Sequence, residues 1–230
     1  MIRKKRMSKG IAKILSGLLV FGMVAGIIPA VPGGTVHAKA AEISGQNVTT
    51  EPHIHCVCGK EELSVEGHTH DKEQTWTGID SLDKISSAGY YYLTDNVNLT
   101  ETWTPQDGVV LCLNGKAITM NADEDVILVD NNNRFTLCDC KDTGIVTHGT
   151  NPDTKTKYSG GGVTVTGIFI MYGGTICNNN STYGGGVYIF STGALEMFGG
   201  KISENEATYG GGVYGDGQKV TMTGGIISNN

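Results

Sequence analysis

The chain has 230 residues, with 17 basic and 23 acidic side chains, a net charge of −6 and 34 glycines. That balance argues against a nucleic-acid partner, which needs basic residues to neutralise phosphate. From Val109 onward the chain is punctuated by Gly and Asn and shows almost no helical periodicity, which argues against a helical protein.

Residues 1–40 begin with Arg3, Lys4, Lys5, Arg6 and Lys9, followed by an apolar run over 14–28 and the small-x-small sequence Ala38-Lys39-Ala40. This order of basic, apolar and small residues is that of a secretory signal peptide, and the apolar run is short for a membrane span. A retained membrane anchor is the alternative. No later stretch is apolar enough to span a bilayer, so a secreted or cell-surface location is expected. The segment holds seven of the 17 basic residues and no acid, so the remainder carries 10 against 23, a net of −13. Arg134 is the one arginine left after it.

Residues 41–74 read as a polar linker leading into a His/Cys segment, HIHCVCG at 53–59 and GHTHD at 67–71. Cys56, Cys58, His68 and His70 offer two sulfur and two nitrogen ligands for a structural zinc, with His53 and His55 as alternates. The CxC spacing departs from the CxxC of zinc fingers. An exposed polar linker and a strained Cys56–Cys58 disulfide are the competing readings.

Residues 75–108 form an N-terminal cap or first coil. They carry two TWT tripeptides, a turn or short helix near 80–87 and a strand within 90–99.

Residues 109–230 are repetitive. MYGGTICNNN at 171–180 returns as MFGGKISENE at 197–206 and MTGGIISNN at 222–230, with the methionines 26 and then 25 residues apart. YGGGVY occurs at 183–188 and 209–214, with YSGGGV at 158–163. Repeats of this length imply stacked units. Period-two alternation places Leu195 and Met197 on one side of a strand and Glu196 and Phe198 on the other. Equivalent positions in the other copies make Phe169/Met171 and Val220/Met222 inward. Val163, Val187 and Val213 form a second inward column, and Ile176, Ile202 and Ile227 a third. Upstream, Phe135-Thr-Leu137 matches Leu195-Glu-Met197, and Gly144-Ile145 is expected where Lys201-Ile202 stands. Leu111-Cys-Leu113 with Ile118 reads as an earlier copy.

Three apolar columns joined by glycine-rich bends predict an all-β chain wound as a coil of short parallel strands, about five turns spaced about 4.8 Å apart. An antiparallel sandwich is the structural rival. Asn179, Asn205 and Asn230 each follow the inward isoleucine by three residues, which predicts an amide ladder between rungs. The glycine triplets are expected to supply positive φ at a bend. The chain stops where another YGGGVY-type segment is expected, so we read it as a piece of a longer protein.

GGxIxxN, GGGVY, and the upstream GYYYLTDNVNLTETWT followed by LCLNGKAI resemble the right-handed parallel β-helix repeat proteins exported by Gram-positive gut anaerobes. The likeness covers roughly residues 75–230. The GGxI phrase is also similar to repeats of chlamydial polymorphic membrane proteins, which are adhesins. The wider pectate-lyase-like superfold holds both polysaccharide-cleaving enzymes and adhesins, so the resemblance implies a right-handed coil without choosing an activity.

Chemistry is sparse. Glu196, Glu204, Glu206 and Asp216 lie at differing offsets and do not predict the converging acids that glycoside hydrolysis needs. Asp123, Glu124, Asp125 and Asp130 read as turn acids, with weak calcium binding as the other option. Cys112 and Cys138 are 26 residues apart, one rung, so a bridge between them is sterically allowed, against a default of free buried thiols. Tyr188 and Tyr214 neighbour inward valines and should face outward, while Tyr183 and Tyr209 lie one rung apart. Outward aromatic rows stack on sugars, on protein partners or on one another. No catalytic residue and no cofactor other than zinc is expected. The leading expectation is an adhesin-like or scaffold module that binds a glycan or a surface protein. A polysaccharide lyase or hydrolase with its catalytic coils elsewhere, and a passive stalk, are the alternatives.

Overall fold

The computed structural model of the chain describes residues 53–57, 74–215 and 219–230, all within the compact unit Thr49–Asn230. The signal-peptide reading of residues 1–40 lies outside them, as do Cys58, His68, His70 and Asp216. Strands of three to five residues follow one another, broken by Gly and Asn bends, and the one helical turn among the described residues is the 3-10 segment Leu82–Lys84.

All pairings between these strands are parallel. A seven-stranded sheet holds Thr77–Ile79, Gly89–Leu93, Val109–Cys112, Arg134–Cys138, Ile168–Met171, Ala194–Met197 and Lys219–Met222 in that order. A six-stranded sheet runs from Val97–Leu99 through Ala117–Met120, Ile145–His148, Thr175–Cys177 and Lys201–Ser203 to Ile226–Ser228. A four-stranded sheet holds Ile127–Val129, Val163–Val165, Val187–Ile189 and Val213–Gly215, and Asn180–Tyr183 pairs with Glu206–Tyr209. Each sheet grows in sequence order because the chain visits the sheets in turn. A parallel neighbour cannot be reached by a tight hairpin, so the intervening strands serve as the crossover. This is a nearly all-β, parallel organisation compatible with a solenoid. Residues 75–108 are continuous with it, since Thr77–Ile79 pairs with Gly89–Leu93 and that strand with Val109–Cys112.

The repeated phrases lie in register. Met197 stands opposite both Met171 and Met222, Ile202 opposite Ile176 and Ile227, and Val187 opposite Val163 and Val213. Phe169, Met171, Ile176, Val187, Leu195 and Ile202 are fully buried. Each such side chain is worth about 1.5–3 kcal/mol of burial. Phe135 and Phe169 add a stacked pair with ring centroids 5.9 Å apart. In the last strands of the two larger sheets, Val220, Met222, Ile226 and Ile227 are 40–57% exposed, with a neighbouring strand on one side only.

One upstream match differs by a residue. Ile145 pairs with Thr175, in line with Lys201, and Val146 pairs with Ile176. Val146 is therefore the buried member of the isoleucine column, while Ile145 is half-buried. The insertion before this strand shifts the alternation by one, which carries each side chain to the other face.

The column asparagines are hydrogen-bonded rung to rung. Asn179 Nδ2 donates to Asn205 Oδ1 at 2.9 Å, and Asn205 Nδ2 to Asn230 Oδ1 at 3.0 Å. Backbone groups fix the amide orientations, because Asn205 Nδ2 also donates to the Ile176 carbonyl and Asn205 Oδ1 accepts from the Asn179 N–H. His148 ends the file, with Nδ1 at 2.8 Å from Asn179 Oδ1 and Nε2 at 2.8 Å from the Glu124 carbonyl. Within a glycine triplet the roles divide. Gly184 has φ +59, the left-handed turn. A Cβ at Gly186 would lie 2.5 Å from both the Gly212 carbonyl and the Ile202 side chain, so the third glycine is needed for close stacking.

Candidate metal centre

Outward positions of the seven-stranded sheet normally meet solvent, but near its N-terminal end they are covered. Cys112 and Cys138 are directly opposite on adjacent strands. They face away from the Leu111/Leu137 core and are fully buried under Trp76, with Tyr90, Tyr92, Val110, Cys140 and Tyr172 packed around them. Cys140 leaves the strand two residues after Cys138. Its turn is held by the buried carboxylate of Asp139, which accepts from the N–H groups of Gly115 at 2.7 Å and Gly144 at 2.6 Å.

Residues 53–57 lie on this patch. Trp76 Nε1–H donates to the His55 carbonyl at 2.9 Å. The His53 ring stacks on Tyr92 with centroids 3.9 Å apart, and the His55 ring lies 4.2 Å from Trp76. As a result the ligand atoms of His53, His55, Cys112 and Cys140 all fall within 4.8 Å of one another. His53 Nε2 is 2.8 Å from His55 Nε2 and 3.8 Å from Cys140 Sγ. Cys140 Sγ also donates to Asn114 Oδ1 at 3.5 Å. His55 and Cys112 are buried, His53 and Cys140 half-buried. This is the one group of three or more converging His, Cys, Asp or Glu ligand atoms among the described residues. It could hold a metal ion.

Burial and the contacts among the thiols favour their protonated forms. The hydrogen bond with Cys138, helped by burial, pushes the Cys112 thiol well above its usual range, against an opposing bond with Cys140. The Cys112 thiol, and then burial, push Cys140 up to about 11, while His53 and His55 pull it down.

The sequence-predicted ligands fare differently. His53 and His55, named as alternates, are in the cluster. Cys56 is buried and disulfide-bonded, so its sulfur supplies no thiolate to a metal. Cys58, His68 and His70 lie outside the described residues. Cys112 and Cys140 were not anticipated as ligands. The one-rung spacing of Cys112 and Cys138 carried the signal, because it sets Cys138 opposite Cys112 and so brings Cys140, two residues on, against the pair.

The acidic turn serves as a tie. Asp123 Oδ1 accepts from the Ser159 N–H at 2.8 Å, Glu124 Oε2 from the Thr102 N–H at 2.9 Å, and Asp125 Oδ1 from the Gly161 N–H at 2.7 Å. Asp130 Oδ1 accepts from the N–H of Asn131 at 2.7 Å. Cys112, Cys138, Cys140 and Cys177 are free thiols.

The outer flank near the two-stranded sheet is aromatic. Tyr183 pairs with Tyr209, and Tyr188 with Tyr214. Tyr183 stacks on Tyr209 at 5.1 Å, and Tyr188 lies 4.3 Å from Phe190 and 5.6 Å from Tyr214. Tyr188 and Tyr214 are half-buried in this group. Its exposed members are Tyr183, Phe190 and Tyr209, at 40, 41 and 53%. Comparison with known proteins returned no match for this chain among family models, curated proteins or solved structures.

Proposed function

We propose that this chain is a secreted or cell-surface β-solenoid module. In this reading it is a right-handed coil of about five turns that serves as a rigid, adhesin-like scaffold. Its partner, a glycan or a surface protein, binds the outer aromatic flank. The observation behind the reading is the contiguous group of Tyr183, Tyr188, Phe190, Tyr209 and Tyr214, whose ring centroids are spaced 4.3–6.4 Å apart while Tyr209 remains 53% exposed. Exposed aromatic patches on a rigid surface mark binding sites. The signal-like residues 1–40, and the likeness to exported repeat proteins, supply the location. The metal held by the His/Cys cluster is zinc in a structural role, since two imidazoles and two thiolates are a structural zinc set.

The test is a binding screen of the purified chain against immobilised glycans and surface-protein extracts, with Tyr209→Ser and Phe190→Ser as controls. Saturable binding that both substitutions weaken at least tenfold supports the reading. Sugar turnover, or binding indifferent to both substitutions, overturns it.

A further inference from the structure

The flank cluster joins segments that are far apart in sequence. His53 and His55 lie on a short stretch without a strand, Cys112 ends one strand of the seven-stranded sheet, and Cys140 follows the next strand. We propose that these four side chains form a tetrahedral zinc clasp that fastens the His53–His55 segment across two adjacent rungs of the solenoid. This rests on the zinc reading above and specifies its ligand set.

Three observations carry it. First, the spacing fits. Zinc–nitrogen bonds of about 2.0–2.1 Å and zinc–sulfur bonds of about 2.3 Å place tetrahedral ligand atoms about 3.3–3.8 Å apart. The separation from His53 Nε2 to Cys140 Sγ, 3.8 Å, lies at the top of that range, and the imidazole nitrogens, at 2.8 Å, need to part by only about 0.5 Å to reach it. Second, the tautomer of His55 is set for ligation. Its Nδ1–H donates to the Cys56 carbonyl at 2.6 Å, which leaves a lone pair on Nε2 aimed into the cluster. With that lone pair facing His53 Nε2, the pair either shares one proton or meets a cation. Third, the rings are already oriented. Tyr92 stacks on His53, and Trp76 holds the His55 backbone and packs on its ring, so little side-chain entropy remains to be lost on binding. A segment of this length has no core of its own, and ligation to the rod supplies the free energy to order it. Cys138 contacts Cys112 but is not among the converging ligands. It therefore serves as an internal control.

The experiment uses the full chain, loaded with zinc and separately with cobalt(II). The expected result is one zinc per chain. The cobalt form should show thiolate-to-cobalt charge transfer and the intense visible bands of tetrahedral coordination. Cys112→Ser and Cys140→Ser should each reduce the charge-transfer band by about half and weaken zinc binding at least tenfold, the scale of losing a ligand. His53→Gln and His55→Gln, which spare both sulfurs, should weaken binding similarly and leave the circular dichroism of the strand body unchanged. Cys138→Ser should leave the spectrum intact. Zinc should also slow alkylation of Cys140 and protect residues 53–57 from proteolysis. Absence of stoichiometric metal in the parent chain would sink the zinc reading altogether. Stoichiometric zinc that survives the cysteine substitutions but is lost in Cys58→Ser or His68→Gln would sink only this ligand set. Neither result touches the aromatic flank, whose test is partner binding.

Discussion

The repeat body and the flank that carries residues 53–57 are stabilised by different means. In the body, each rung repeats the contacts of its neighbour, so Met on Met, Ile on Ile and Asn on Asn recur with one geometry. Stability there is a sum of similar nearest-neighbour terms. On the flank nothing repeats. Five described residues rest on one tryptophan, one tyrosine and a set of converging ligand atoms. The body should therefore tolerate loss of the flank, whereas residues 53–57 lean on Trp76, Tyr92, Cys112 and Cys140.

The strongest way to break the body is in its core. Phe169→Ala removes a fully buried ring stacked on Phe135 and should cost about 3–5 kcal/mol in urea unfolding. Metal content per folded chain should be unchanged, and a parallel loss of metal would mean that the two regions are one cooperative unit. Asn205→Ala comes next. It removes the Oδ1 acceptor of the Asn179 N–H and Nδ2 and the Nδ2 donor to the Ile176 carbonyl, at about 1–3 kcal/mol. Hydrogen exchange should quicken first at the rungs flanking residue 205. Uniform quickening over the whole body would rule out a local ladder effect.

Trp76→Phe sharpens the comparison from the other side. It keeps an aromatic ring over Cys112 and Cys138 but deletes the N–H that holds the His55 carbonyl. The expected loss is about 0.5–1.5 kcal/mol, confined to the flank. Exchange at residues 53–57 should rise while the unfolding midpoint of the repeat body stays put. Tyr209→Ser has the smallest effect on stability, within about 0.5 kcal/mol, as expected for an exposed surface position. Its consequence is on partner binding, so a large drop in the unfolding midpoint would show that the aromatic group is a packing device.

Much of the body was legible in the chain. Copies 26 and 25 residues apart, with two-residue alternation inside each, place equivalent side chains in files. Legibility failed at Ile145, where an insertion hides the phase and one residue of slip exchanges inside for outside. The metal cluster was half legible. His53 and His55 stood in a visible His/Cys segment, but that segment offered several nearby ligands, and nothing local ranks them.

What the sequence determined by itself is therefore the periodic part, the parallel strand body, its inward columns and the asparagine file. A repeat encodes the same neighbour at every step, so local pattern and long-range contact carry one message. The tertiary structure alone decided that Cys112 and Cys140 meet His53 and His55, and that Tyr188 and Tyr214 lie half-buried beneath more exposed rings. The metal-cluster contacts join His53 and His55 to Cys112 and Cys140 across separations that match no repeat. They arise only once the rungs are stacked, when the fold brings a strand end, a turn and a distant segment to one place.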